Sequence, residues 1–402
     1  MFIGKRGDKV IVLPESEEIN VRMLLKIFDD MTNSYKLFWF KGLFDEVIRG
    51  KEEIYFIDII SGMIANSWYP KLKYHLNFGT QDKLEICINN INKNSIKNID
   101  INKFDLYRII SEGNKNREIY NEIKFLYKYV PYRAISPFFE EELKGKKDGI
   151  KNKLIEELSL KSDNVLYKLD SKNEKLYINL KWKKYILENQ GIISGWIKYK
   201  LIEYLQRKNP NTPAIINKLE PQTERDLSIS TKLWKGIICA SNELDIYTGN
   251  VFNESNYKIF GNVSIDHFIP WSFIGHDMIW NLVPTFKNVN SSKSDNLPNL
   301  DKYFDCFLDK QIKLIEYLRQ TKGNIKVFED YFAIDSKLDI RSIIDIKNEL
   351  NILKIKDDIK KTITPLYQIA YNQGFNIWEY KEKSYIAEKD LNYKEVQILI
   401  EN

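Results

Sequence analysis

Apolar residues recur at helical spacing over most of this chain. From Val21 onward Leu37, Phe40, Phe44, Val47 and Ile48 form one stripe. It follows Thr32, Asn33 and Ser34, residue types that cap helix N-termini. A second helix is predicted from Phe56 to about Trp68, stopping before Pro70, because a residue ahead of proline is pushed out of the helical region. Further helical stretches fall at 82–92, 103–112, 117–128 and 137–143. Residues 9–13 read as a short strand and the Gly/Lys-rich stretch from Leu143 to Lys153 as a loop. Residues 176–186 alternate only loosely, and 192–207 read as one amphipathic helix. The prolines of Asn209-Pro210-Asn211-Thr212-Pro213, with Pro221 soon after, mark the best boundary. Helical spacing returns at 228–240, 302–320 and 341–371.

Between those last helices the period changes. Tyr247-Thr248-Gly249-Asn250-Val251-Phe252 places a turn glycine among apolar residues and suits a hairpin. Val263 to Phe268 suits the following strand, and Asn288 to Ser294 the start of a short helix. The expected class is therefore α+β: a mainly helical region over 1–215, a small mixed segment within 216–305, and a helical region over 306–402.

Composition narrows the function classes without choosing one. With 402 residues, 43 % hydrophobic and 13 % aromatic, the chain has enough apolar surface for two or three folded domains. The net charge of +5 suits a nucleic-acid partner but does not require one. An AT-rich coding sequence produces the same Lys, Asn and Ile bias, so where lysines cluster matters more than their number. Cys87, Cys239 and Cys306 are far apart, with no C-x-x-C pair, which excludes a four-cysteine zinc knuckle and fits free, mostly packing thiols in a reducing compartment. Met1 to Asp8 has no apolar signal core and no apolar run reaches membrane length, so a soluble, cytoplasmic protein with no membrane partner is expected. No G-x-x-x-x-G-K-[ST] loop is present, which leaves any NTPase to a partner.

The chemistry concentrates in about thirty residues. Asp266 and His267 are neighbours, Pro270 follows closely, and Asn281, Asn290 and Lys293 come after. A carboxylate and an amide oxygen suit a hard divalent cation, which keeps water and phosphate in the rest of its shell. An imidazole beside them suits a general base acting on the attacking water. Adjacent residues on a regular strand point to opposite sides, so Asp266 and His267 share a site only where the strand bends or ends. Asn288 and Asn290 both stand where an amide ligand for the cation could come from. Lys293, one turn past Asn290, is a candidate phosphate contact. His75 and His276 read as surface or satisfied histidines rather than ligands.

These residues resemble the ββα-metal fold of HNH endonucleases, and specifically the HNH domain of CRISPR RNA-guided DNA nucleases. The resemblance rests on Asp266-His267-Phe268-Ile269-Pro270-Trp271-Ser272-Phe273, on Asn281, and on Asn290 to Pro298 with its Lys293-Ser294-Asp295 core. Asn281 follows His267 by 14 residues and Asn290 by 23, and Tyr247-Thr248-Gly249 resembles a turn found upstream in that family. The resemblance implies a small ββα-metal nuclease domain flanked by mainly helical regions, cutting DNA with Mg²⁺ or Mn²⁺. It makes Asp266 and Asn290 the metal ligands, His267 the general base, and Asn281 the residue fixing the loop that aims His267. Asp245 stands near the position where many members carry a zinc cysteine, so no structural zinc is expected. The absence of a second, RNase-H-like segment argues against a complete RNA-guided effector.

Outside the motif, Lys181-Trp182-Lys183-Lys184-Tyr185 and Trp196-Ile197-Lys198-Tyr199-Lys200 interleave cations and aromatics. Lys198 and Lys200 are the candidate DNA contacts there. The plainer reading, amphipathic helices with aromatic cores and solvated lysines, is the stronger one. Thr32 to Lys36, Trp68 to Pro70, Val130 to Arg133, Tyr204 to Pro210 and Ala370 to Phe375 resemble stretches of a bacterial group of HNH-domain proteins. That resemblance implies a restriction or anti-phage setting and a partner protein such as a separate ATPase. The rival expectation is a DNA- or protein-binding subunit that keeps a catalytically silent HNH fold.

Overall fold

The stripe after Ser34 folds as helix α1 (Tyr35–Ile48), whose apolar residues Leu37, Trp39, Phe40, Leu43 and Val47 are all buried. In the computed structural model the described residues are 13–29, 31–113, 116–221, 225–321, 325–332, 334 and 349–381. They divide into two compact units, 1–222 and 223–402. The strand expected at 9–13 and the helical start at 341–348 lie outside the described residues, apart from Leu13, which is buried and not in a strand.

In the first unit, α1 crosses α2 (Phe56–Leu72) at Gly42 and Gly62. A methyl at Gly42 would meet the Ile59 carbonyl oxygen at 2.5 Å, so the two backbones touch where only hydrogen fits. Helix α2 runs through Pro70 rather than stopping before it. Trp68, Tyr69 and Pro70 are buried, so packing and not the proline sets the helix end. Helices α3 (Lys83–Ile91), α4 (Lys103–Ser111) and α5 (Arg117–Ala134) follow the predicted spacing, with α5 continuing through Pro131. The loop expected over 143–153 ends at Asp148, where α6 (Asp148–Lys161) begins and buries Ile155 and Ser159. The loose alternation near 176 resolves into β2 (Tyr167–Asp170) and β3 (Lys175–Ile178), joined antiparallel with β1 (Glu53–Tyr55) in the order β1-β3-β2. Helices α7 (Leu180–Glu188) and α8 (Gln190–Lys208) complete the unit.

The second unit holds the motif. Helix α9 (Ser228–Ala240) precedes a tight turn in which Gly249, at φ +71°, donates to the Asp245 carbonyl at 2.9 Å, and Leu244 bridges Val251. Helix α10 (Glu254–Phe260) leads to β4 (Val263–His267), which pairs antiparallel with β5 (Leu282–Phe286). The short α11 (Trp271–Ile274) lies between the two strands, and α12 (Lys287–Lys293) leaves the end of β5. The partner of β4 is therefore 282–286, not the 247–252 hairpin suggested by the turn signal. Further on, α13 (Leu300–Gln320), α14 (Ile325–Phe332) and α15 (Ile352–Asn372) carry Phe307, Phe328 and Ile359 into the same apolar core as Phe268, Val283 and Phe286. Among the described residues after 306, Phe307, Phe328 and Ile359 thus pack into the core that also holds the motif. A short parallel pair, β6 (Leu297–Pro298) with β7 (Ile377–Trp378), closes the far end. No described helix is long and apolar enough to cross a membrane.

Candidate functional site

The register of β4 on β5 determines what each residue of the strand offers. Lys287 N–H donates to the Asn262 carbonyl and Phe268 N–H to that of Asn281, both at 2.8 Å. Counting inward from these bonds, Ser264 and Asp266 face β5 with their backbone groups, whereas Ile265 and His267 turn theirs outward. Pro284 lies opposite Ile265, so its missing N–H falls where the ladder needs none.

Helix α12 caps that outward edge. Asn290 Nδ2 donates to the Ile265 carbonyl at 3.2 Å and to Ser264 Oγ at 2.9 Å. Lys293, three residues on and therefore on the same helix face, donates from Nζ to the His267 carbonyl at 2.7 Å and to Asp266 Oδ1 at 2.9 Å. Lys293 is fully buried, so it does not project towards solvent as a phosphate contact on an open helix face would. The carbonyl and carboxylate draw it in, because a buried ammonium needs acceptors. Asn288 is exposed and reaches only the Ile259 carbonyl, at 3.5 Å; Asn290 is the asparagine that faces the strand.

Asp266 has both carboxylate oxygens engaged. Oδ1 takes Lys293, and Oδ2 accepts the Tyr247 hydroxyl at 2.5 Å. Tyr247 is buried, and that burial together with the Asp266 charge pushes its phenol well above the ordinary tyrosine range. The phenol is therefore a fixed donor. Asp245, at the upstream turn, is also buried. Its Oδ2 accepts from Thr248 N at 3.0 Å and Thr248 Oγ1 at 2.7 Å. Its Oδ1 has no hydrogen-bond partner among the described residues, although the Thr285 hydroxyl is near enough to favour the carboxylate. Burial outweighs these donors and raises the Asp245 pKa.

The His267 ring has a partner of its own. Its Nε2 lies 2.7 Å from Asp277 Oδ1, with the imidazole 7 % exposed and the carboxylate 26 %. Asn281 closes the loop between them. Its Oδ1 accepts from Ile269 N and its Nδ2 donates to the Ile269 carbonyl, each at 2.9 Å. It is completely buried. The structure thus gathers Asp266, Tyr247, Asn290 and Lys293 along β4, and sets His267 at the end of that strand against Asp277. Tyr247 and Asp277 carried no role in the sequence reading. The Tyr-Thr-Gly turn was a usable signal for the first, whereas nothing local marks Asp277. His276 accepts from Met278 N at 3.3 Å and packs its ring on Trp280.

The donor set fits a small hard cation: one carboxylate, and one amide whose nitrogen is tied to the strand so that its oxygen is not. Among the described residues no three His, Cys, Asp or Glu side chains come together. A cation here would therefore take most of its shell from water and phosphate, and would compete with Lys293 for Asp266.

In the first unit Trp182, Tyr185 and Trp196 are buried, as the plainer reading of those helices requires. Lys183 pairs with Glu52 at 2.7 Å, Lys184 with Glu18 at 2.8 Å and Lys200 with Glu203 at 2.8 Å, while Lys198 is exposed. All three cysteines are free thiols; Cys87 is buried, but Cys239 and Cys306 are exposed rather than packed.

Residues 245–299 match the HNH endonuclease family, and this stretch runs from Asp245 through β4, β5 and α12 to Asn299. No curated protein and no solved structure matches the chain.

Proposed function

We propose that this protein is a metal-dependent DNA endonuclease whose reaction centre lies at the end of β4. The observation that carries this reading is that Asp266 and His267 are carried by β4 and Asn290 is bonded to the same strand, inside the segment that matches the HNH endonuclease family. Asp266 and Asn290 would hold Mg²⁺ or Mn²⁺, which when bound lowers the charge on the scissile phosphate. His267 takes a proton from the attacking water as its oxygen bonds to phosphorus, and the P–O bond to the leaving oxygen breaks. Asn281 contributes by fixing the Ile269 backbone two residues beyond the imidazole. Lys293 already neutralises Asp266, so it must move aside or share the carboxylate when the cation binds. In the first unit, Lys198 and Lys200 on α8 are the proposed phosphate contacts, and the remainder of the first unit serves DNA or a partner protein such as an ATPase. The restriction or anti-phage setting carries over from the resemblance alone.

A second reading has one observation in its favour. The Lys293 ammonium occupies Asp266 Oδ1, as it would in a silent HNH fold that holds no metal in a binding subunit. Incubation of the full chain with supercoiled plasmid, with Mg²⁺, with Mn²⁺ and with EDTA, separates the two. Cleavage that needs metal and drops by roughly 10²–10⁴ in His267→Ala supports the nuclease. Asp266→Ala and Asn290→Ala should be partly rescued by raised metal. Wild-type cleavage by His267→Ala, or no cleavage with either metal, favours the silent fold.

A further inference from the structure

We propose that Asp277 is a positioning residue for His267: it holds a hydrogen on Nε2 and leaves Nδ1 as the basic nitrogen. This rests on the reading of His267 as general base. A carboxylate offers only acceptor oxygens, so a 2.7 Å contact to Nε2 requires the ring hydrogen on that nitrogen. The neutral imidazole then carries its lone pair on Nδ1, and the same contact fixes the plane of the ring.

Asp277 is itself held from both sides. Gly275, at φ +77°, ends α11 with its N–H on the Trp271 carbonyl at 2.8 Å. On the far side Ile279 N–H donates to Asp330 Oδ2 on α14 at 2.8 Å, and Asn281 N–H to the Met278 carbonyl at 3.0 Å. The paired hydrogen bonds of Asn281 to Ile269 then close the loop against the residues that follow His267. Phe273, Ile274, Ile279 and Trp280 are buried beneath it. The loop therefore cannot swing without breaking buried hydrogen bonds, and its one acidic side chain is delivered to the one ring it touches. Asn281 acts on His267 at one remove through this loop; Asp277 acts by contact.

The test uses the full chain with ¹⁵N-labelled histidine. Only His75, His267 and His276 contribute signals, and His267 is identified by the one missing from His267→Ala. The two ring nitrogens of a neutral imidazole resonate far apart, so the spectrum reports the tautomer directly. The wild type should show His267 with its hydrogen on Nε2, and Asp277→Ala should show a mixture of both forms. Hydrogen on Nδ1 in the wild type, or an unchanged His267 signal in Asp277→Ala, overturns the proposal whether or not the protein cuts DNA. Kinetics give the second readout. Asp277→Ala should lose about 10–100-fold in kcat with KM little changed, and should cost nothing further in a His267→Ala background. An equal loss in both backgrounds means Asp277 acts independently of His267, and the proposal falls. Should Asp277→Ala fold poorly, Asp277→Asn carries the same two measurements with the side-chain shape kept. His267→Ala cutting like wild type would refute the general-base reading alone, because the tautomer would still decide what Asp277 does.

Discussion

Asn281 ties the residues after His267 to the loop that returns to β5. It is wholly buried, and its amide is matched on both sides by the Ile269 backbone. Asn281→Ala leaves a buried N–H and a buried C=O without partners, at about 1–3 kcal/mol each. The variant should lose roughly 2–5 kcal/mol and several degrees of thermal midpoint, measured by calorimetry, and should lose cleavage with it. An unshifted midpoint would mean that the loop does not depend on this clamp. Asp245 gives a pH-dependent case. Burial raises its folded pKa above the ordinary carboxylate value of 3.8, so in that window the folded chain binds the proton that the unfolded chain has released. The contribution of this group therefore falls as pH rises from 3.8 through the folded pKa, and stays low above it. Asp245→Asn keeps an acceptor for Thr248 and removes the charge. Its stability difference from wild type, followed by denaturant melts across pH, should turn in the variant's favour as pH rises from 3.8 and level off above the folded pKa. A difference that stays flat with pH would show that Asp245 titrates normally in the fold.

At the scale of elements, the turn between α10 and β4 depends on a glycine. Gly261 sits at φ +83°, and a methyl there would stand 3.2 Å from both Asn288 Oδ1 and Lys287 Cβ at the start of α12. Gly261→Ala should cost about 1–3 kcal/mol in backbone strain. It should also push on the helix that carries Asn290, so half-maximal cleavage should need more Mg²⁺ while DNA binding holds. Wild-type metal dependence in this variant would mean that α12 is not what sets the Asn290 position. The same scale shows what the sequence made legible. Helices α9 and α13 bury residues at helical spacing, so they are readable from the order of apolar positions along the chain. Strand β5 is not, because all of Leu282 to Phe286 is buried and no alternation survives. Its proline also argues locally against a strand, and only the register on β4 shows that Pro284 sits where no N–H is needed. Helix α6 was hidden by Gly145, Gly149 and the five lysines of 143–153, which outweighed the two residues the helix buries. Asp266, His267, Asn281 and Asn290 were legible because a motif of fixed spacing marks them. The partners of the first two, Lys293 with Tyr247 and then Asp277, depend on a chain path that the motif does not record.

Across the whole molecule, the surplus of five positive charges must be judged by where the cations are held. Lys183, Lys184 and Lys200 each face a glutamate, and such surface pairs are worth about 0–1 kcal/mol, so a phosphate can displace them at little cost. Lys198 is exposed on the same helix as Lys200, beside Tyr199, whose ring is 47 % exposed and lies 5.7 Å from the Lys200 ammonium. An exposed aromatic between two lysines is a part of α8 that the buried-core reading does not explain. If this face holds DNA, each phosphate it neutralises releases condensed counterions, worth a slope of about 0.9 in log affinity against log salt on duplex DNA. Replacing both residues, Lys198→Glu with Lys200→Glu, should therefore weaken binding at low salt and flatten that slope by roughly 1–2. The measurement belongs in a His267→Ala background, so that substrate survives the titration. The double variant should keep its fold, because both side chains lie outside the core and the only pair broken is the surface one with Glu203. An unchanged slope with unchanged affinity would move the DNA surface elsewhere, and would leave the α8 face around Tyr199 to a protein partner.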